Sequence, residues 1–137
     1  MRRTLVPTTA LIAAICLAAG SARAIGEDEC NLSSNVEISQ CLSELLKQED
    51  AELNRVYKLA MASIDKADYV PDAERGNWKT TLQKAQRAWI AFKEADCGEL
   101  ILFEWWGGTG AGIASMACTI DQTRSRYRDL KSRYELE

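Results

Sequence analysis

The sequence contains no histidine, which removes the side chain most often used as a general base and a frequent ligand of zinc. No two cysteines have C-x-x-C spacing either, so neither a zinc site nor a thioredoxin-type redox pair is predicted. A catalytic site would have to rely on carboxylates. These absences favour a protein that is not an enzyme and that needs no metal or cofactor.

Long apolar runs are also missing, because the one near the start of the chain, about residues 10–19, is shorter than the roughly 20 residues needed to span a bilayer. Two arginines precede this run and an Ala-Arg-Ala ending follows it, which is the pattern of a secretory signal peptide cleaved after Ala24. We therefore expect residues 1–24 to be removed. Residues 25–137 are then predicted to form one periplasmic or secreted domain with no membrane span.

The charge of the chain limits its partners. Removing the signal peptide takes away three of the 17 lysines and arginines and none of the 20 acidic residues, which leaves a net charge of −6. Because nucleic-acid phosphates repel an acidic protein, no nucleic-acid partner is expected. A basic protein partner would be attracted at low ionic strength.

Four cysteines remain after the signal peptide, namely Cys30, Cys41, Cys97 and Cys118. An even number of cysteines in an exported chain predicts two disulfides, and the sequence alone allows three pairings. Pairing Cys30 with Cys41 and Cys97 with Cys118 would close two local loops that suit staples between helices. Each bond would stabilise the fold by roughly 3 kcal/mol in the loop-entropy model.

Helical periodicity predicts a first long helix, with Ser33, Ser34 or Asn35 as its cap, and a second helix after the loop around Pro71. The apolar stripe of the first helix consists of Leu42, Leu46, Leu53, Val56, Ala60 and Ile64, with Glu49 interrupting it. The stripe of the second consists of Trp78, Leu82, Ala85, Trp89 and Phe92. Both stripes have the spacing of faces packed against antiparallel neighbours.

Four glycines within residues 105–112 end the second helix, because glycine costs a helix about 1 kcal/mol relative to alanine. A third helix is predicted from about Ala111 to Leu136. Its stripe consists of Ile113, Met116, Ile120, Thr123, Tyr127, Leu130 and Tyr134. No useful length of sequence has the period-two alternation of a strand, so the predicted fold is an all-α, disulfide-braced antiparallel three-helix bundle with a possible short helical turn near Cys30.

Some polar residues lie beside these stripes, namely Asn54, Tyr57, Gln86 and Arg124. Buried polar groups are costly to leave unpaired, so we expect these side chains to form a structural hydrogen-bond network that fixes the helix register. A role in binding is the alternative.

Two adjacent tryptophans, Trp105 and Trp106, stand at the glycine-rich end of the second helix. Adjacent residues on a helix cannot both face inward, so one of them is expected to be exposed. Together with Glu104 and Thr109 they form the predicted partner-binding site, since exposed tryptophan is common in interaction hot spots. The alternative is that the tryptophan covers the disulfide.

Several stretches together resemble a known family: "DAELNRVYKLA" (50–60), "LQKAQRAWIAFKEADC" (82–97), "GGTGAGIASMAC" (107–118) and "TRSRYRDL" (123–130). In order and spacing they are similar to the family of small secreted bacterial domains named for the LprI lysozyme inhibitor. The resemblance runs from about Cys30 to Leu130. It implies an exported, helical, disulfide-bonded domain and, for some members, inhibition of lysozyme-type muramidases.

The resemblance and the negative charge lead to one main functional hypothesis. The protein is expected to inhibit a basic lysozyme or a lytic transglycosylase by occluding its glycan cleft. The alternative is a non-catalytic envelope module that binds an endogenous protein or a cell-wall component. Carboxylates such as Glu99 and Glu104 leave a third option, an enzyme acting on glycans, but a solvated charged face explains them more simply.

Overall fold

A computed structural model describes residues 29–137, and this part of the chain is mostly helical. The predicted signal peptide, residues 1–24, lies outside the described residues. Four α-helices lie entirely within the described part: α1 (Asn35–Asp65), α2 (Asp72–Lys93), α3 (Ile101–Glu104) and α4 (Ala111–Arg133). A π-helical segment, Glu94–Leu100, joins α2 to α3. Residues 29–137 contain no strand, so the all-α prediction is confirmed for them.

Helix α1 begins after Ser34, one of the three predicted caps. The Glu37 backbone N–H donates to the Ser34 hydroxyl oxygen at 3.3 Å. In return, the hydroxyls of Ser33 and Ser34 donate to the Glu37 carboxylate at 2.8 and 2.9 Å. These hydrogen bonds, the one from Ser33 first, lower the pKa of Glu37. This pairing resembles a capping box in which the carboxylate accepts from the serine hydroxyls instead of from the Ser34 backbone N–H, and it fixes the first turn of the helix.

Helices α1 and α4 run in the same direction. Leu42, near the start of α1, belongs to the same buried cluster as Ile120. Further along both helices, Arg124 pairs with Glu49 at 2.6 Å and Lys131 pairs with Glu52 at 2.9 Å. Because the residue numbers of the contacting partners increase together along α1 and α4, the two helices are parallel.

Helix α2 runs in the opposite direction. Its Trp78 indole N–H donates to the Tyr134 hydroxyl at 3.2 Å, and eight residues later the Gln86 side-chain carbonyl accepts from Arg126 at 2.9 Å. The residue numbers of the partners on α4 therefore decrease as those on α2 increase. The three long helices are therefore directed up, down and up.

The core is formed mainly by α1 and α4, and the predicted α1 stripe is confirmed. Its residues are buried except for Leu46, which is half-buried. The larger buried cluster consists of Leu53, Val56, Ala60, Ile64, Leu82 and Leu130. Leu82 is the one buried residue of α2, so this helix packs on the outside of the α1–α4 pair.

The predicted inner face of α2 is wrong at Trp78, Ala85 and Phe92, which are all exposed. Trp78 is 37% exposed and contacts the ring of Tyr134, and Phe92 is 54% exposed. Trp89 is half-buried, and the inward face continues from it to Lys93, whose ammonium lies 4.9 Å from the centre of the Trp89 ring. Phe92 points away because the helix turns inward one residue later than its apolar spacing predicts.

Both predicted disulfides are present. The Cα atoms of Cys30 and Cys41 are 5.8 Å apart, and those of Cys97 and Cys118 are 5.4 Å apart. The first bond ties the segment before α1 to α1 itself. The second ties the π-helical segment to α4. It therefore closes the loop of residues 97–118, which contains α3 and the glycine-rich turn, and holds this loop in place.

Candidate partner-binding site

The π-helical segment decides which side chains of the following turn are exposed. An uninterrupted α-helix continuing from Leu82 and Trp89 at 3.6 residues per turn would turn Leu100 and Phe103 inward. The wider π turn instead places Cys97 inward, 1% exposed, and leaves Leu100 49% and Phe103 79% exposed. π-helical turns inside α-helices occur frequently at functional sites.

A groove of about 670 Å³ lies on this outward face. It is lined by Glu99, Leu102, Phe103, Trp106 and Gly107. The first four of these residues follow the i, i+3, i+4, i+7 spacing of one helical face. Glu99 is the one charged side chain in the lining, so the groove is apolar with a single carboxylate at its edge.

Trp106 is 95% exposed and has a backbone conformation that favours glycine, with φ of +50°. Its N–H donates to the Phe103 carbonyl at 3.0 Å, and the Gly107 N–H donates to the Leu102 carbonyl at 3.3 Å. These two hydrogen bonds form a Schellman motif, in which the position of Trp106 is usually occupied by glycine. The chain thus holds a large exposed indole at a strained position, a feature typical of functional sites.

Trp105 faces a different part of the molecule from Trp106. It lines a smaller cavity of about 260 Å³ together with Cys30, Ile38 and Ile113, between the starts of α1 and α4. A side chain at Gly110 would collide with the Trp105 ring. Trp105, which is 46% exposed, therefore packs over Gly110 on the side of the Cys30–Cys41 disulfide, so both tryptophans are exposed where one was expected to be.

Of the four residues predicted to bind a partner, Trp106 alone lines the groove. Glu104 and Thr109 are exposed outside its lining, and Trp105 is turned away. Sequence reasoning missed Glu99, Leu102 and Phe103. Their helical spacing with Trp106 could have revealed them, but the same spacing also describes a buried stripe.

The segments at one end of the molecule carry acidic residues and no basic ones. Residues 29–46 and 94–123, which we call the acidic end, contain no lysine or arginine. They contain Glu29, Glu37, Glu44, Glu94, Asp96, Glu99, Glu104 and Asp121. These segments meet in the cluster of Cys30, Leu42 and Ile120 and around Trp105. The groove therefore lies on an end of the molecule whose own segments supply no cation, and the bordering residues Lys47 and Arg124 pair only with Glu44 and Glu29 among these carboxylates.

The predicted polar network takes a different form. Arg124 is 7% exposed and pairs with Glu29 at 2.7 Å and with Glu49 at 2.6 Å. Gln86 bonds Arg126 instead, and Tyr57 is half-buried against the larger core cluster. Asn54 is exposed, so its predicted burial is wrong, because the neighbouring positions 53 and 56 face the core.

A possible metal-ligand group occurs beside the second disulfide. The ligand atoms of Asp96, Cys97 and Cys118 lie within 4.8 Å of one another. Both sulfur atoms are used in the disulfide, so they cannot act as thiolate ligands. Asp96 instead accepts a hydrogen bond from the Gln122 amide at 3.2 Å. The disulfide and this hydrogen bond therefore both hold the π-helical segment against α4.

Comparison with known proteins identifies the family of the chain. The family described as "Lysozyme inhibitor LprI" matches residues 27–130. The chain belongs to the LprI lysozyme inhibitor family. That family is described as an inhibitor rather than an enzyme, and two disulfides are typical of proteins outside the cytoplasm. No helix within residues 29–137 has the length and apolar character needed to cross a membrane.

Two relatives of this LprI family member have no described activity. The chain is 31% identical to "Uncharacterized protein R02472" of Rhizobium meliloti (strain 1021), over 97% of this chain and 96% of that protein. It is 32% identical to "Uncharacterized protein YecT" of Escherichia coli (strain K12), over 69% of this chain and 60% of that protein. No solved structure matches.

Proposed function

We propose that the protein is an exported, disulfide-braced three-helix bundle that inhibits lysozyme-type muramidases or lytic transglycosylases. Residues 1–24 direct export, and the domain that remains acts in the periplasm or outside the cell. The groove and Trp106 contact the target beside its glycan cleft and block access to it. Membership of the LprI family supports the target class.

The observation that carries the proposal is the exposed indole of Trp106 on the acidic end. Exposed tryptophan in a strained turn contributes little to folding, whereas tryptophan is among the residues that contribute most to protein interfaces. Lysozymes are commonly basic, so the uncompensated carboxylates around Trp106 would steer association. The apolar groove beside Trp106 provides further apolar surface that a bound target would bury.

The experiment is a muramidase assay in which the oxidised mature protein is titrated against several basic lysozymes and lytic transglycosylases at low and moderate salt. We expect stoichiometric inhibition that weakens as salt rises. Trp106→Gly should abolish inhibition, yet it should leave the fold as stable or more stable by about 1 kcal/mol, because glycine relieves the strain.

The control is Tyr69→Gly, which removes an aromatic side chain that is 80% exposed in the loop between α1 and α2. This loop follows the far end of α1, about 45 Å from the start of that helix at 1.5 Å per residue, and it lies outside the acidic end. Tyr69→Gly should inhibit like the unmodified protein. Full activity of every enzyme at a large excess of inhibitor would refute the proposal.

A second candidate function is a non-catalytic module that binds a cell-wall component. It is favoured by a groove of about 350 Å³ at the end opposite the acidic one. Its lining includes three aromatic side chains, two cations and one carboxylate, namely Tyr69, Trp78, Tyr134, Lys66, Arg133 and Glu135. Aromatic rings and cations suit an anionic glycan. Co-sedimentation with purified peptidoglycan that is lost in Tyr69→Gly and kept in Trp106→Gly would favour this function.

A further inference from the structure

We propose that the groove receives an arginine or lysine side chain of the partner. The aliphatic stem would lie on Leu102 and Phe103, the cation would face the Trp106 ring, and Glu99 would pair with its charge. This inference rests on the proposed function for the identity of the partner as a muramidase. The chemistry of the occupant follows from the groove itself.

The lining matches the two parts of such a side chain. Arginine and lysine carry an apolar stem and a charged head, and they bury the stem along apolar surface. Leu102 and Phe103 offer that surface, 47% and 79% exposed. The exposed face of Trp106 attracts a cation through its ring quadrupole, and tryptophan does this best among the aromatic residues.

Glu99 is the one charged residue in the lining, and within residues 29–137 the segments around the groove provide no cation to neutralise it. The acidic end contributes no lysine or arginine from the π-helical segment, from α3, from the first half of α4 or from the start of α1. Lys93, the next cation along the chain, lies on the inward face against Trp89. A cation from a partner would supply the missing opposite charge.

Charge also decides between possible occupants. A second copy of this chain would bring another acidic end to the groove, and like charges in an interface are costly. An anionic lipid or glycan would be repelled in the same way. A basic protein segment is therefore the occupant that fits, and the groove has room for a cationic side chain with an apolar neighbour.

The test uses the oxidised mature protein and two peptides that differ in charge only. One is acetyl-Ala-Leu-Arg-Leu-Ala-amide, and in the other citrulline, a neutral analogue of similar shape, replaces arginine. Binding is followed by the nuclear magnetic resonance shifts of the Gly107 backbone N–H and, where Trp106 is present, of its indole N–H, because both residues line the groove. We expect the arginine peptide to bind at least roughly fivefold more tightly than the citrulline peptide.

Matched variants locate the contact. Glu99→Gln and Trp106→Ala should each weaken binding of the arginine peptide by roughly fivefold. Glu104→Gln removes an exposed carboxylate from the same turn but outside the groove, so it should change binding less than twofold. Equal affinity for the two peptides, or equal losses in Glu99→Gln and Glu104→Gln, would overturn the inference.

The two proposals can fail separately. If no muramidase is inhibited while the arginine peptide still binds at Trp106, the proposed function is wrong and the groove chemistry stands. If muramidases are inhibited while neither peptide shifts the Trp106 indole and Glu99→Gln inhibits normally, the groove is not the cation site. In that case the proposed function stands without it.

Discussion

Arg124 of α4 and Glu49 of α1 form an ion pair of 2.6 Å between the two parallel helices. Their side chains are 8% and 12% exposed, and Glu29 provides a second carboxylate to Arg124 at 2.7 Å. The bonds to Glu29 and Glu49 raise the pKa of Arg124, so its guanidinium stays ionised. Glu49, which interrupts the apolar stripe of α1, is thereby explained as a partner of α4.

Removing one partner of this pair should be strongly destabilising. Arg124→Met leaves the Glu49 carboxylate in a poorly solvated site, so we expect the free energy of unfolding to fall by about 3–5 kcal/mol. Urea denaturation measures this loss. Arg124→Met combined with Glu49→Leu should recover much of it, because neither charge is then left without a partner.

The control for this prediction is Arg133→Met. Arg133 is 64% exposed and pairs with Asp129 on the surface, so its loss should cost less than about 1 kcal/mol. Losses of similar size at Arg124 and Arg133 would contradict a special role for the ion pair between the helices.

Acid should weaken the fold through Glu52. Hydrogen bonds from Arg55 and then Lys131 lower the pKa of Glu52 to about 2. Because the unfolded value is about 4.3, the folded state holds this carboxylate ionised where the unfolded chain binds a proton. The contribution of Glu52 is complete above pH 4.3 and is lost as the pH falls toward 2.

Thermal unfolding from pH 6 to pH 2 tests this contribution. Glu52→Gln should have a lower melting temperature than the unmodified protein at pH 6, and the difference should shrink as the pH approaches 2. A difference that is independent of pH would show that Glu52 acts by packing and not by its charge.

Gly110 and Gly112 offer a matched test of the packing of Trp105. A methyl group at Gly110 would collide with the Trp105 ring, whereas one at Gly112 meets nothing within 4 Å. We expect Gly110→Ala to destabilise the fold by about 1–3 kcal/mol and to shift the tryptophan fluorescence. Gly112→Ala lies inside α4 and should stabilise it by about 0.5–1 kcal/mol.

The two disulfides should differ in their effect on inhibition. Replacing Cys97 and Cys118 by alanine frees the π-helical segment from α4, so we expect inhibition to fall together with a stability loss of about 2–4 kcal/mol. The same replacement of Cys30 and Cys41 should cost similar stability. It should affect inhibition less at temperatures where both variants are folded, as judged by circular dichroism. Equal losses of inhibition would contradict this.

Much of the fold could be predicted from the sequence, because long amphipathic stripes and an even number of cysteines depend on local spacing. The groove could not be predicted, since it depends on a π turn that no residue type marks. Leu102, Phe103 and Trp106 have the spacing of a buried face, and a shift of helical phase at residues 94–100 decides that they are exposed. Arg124 was expected to bond within a network, but its partner Glu49 was treated as an interruption.

The π-helical segment makes residue count as important as residue identity. The π turn holds one residue more than a regular α-helix needs to keep the later side chains on the same faces. A relative that lacks one residue between Trp89 and Leu102 would therefore present the same groove from a regular α-helix, whereas one of equal length without the π turn would have its later side chains rotated by about 100° about the axis. The number of residues between Trp89 and Leu102 and the presence of the π turn together indicate which relatives share the groove.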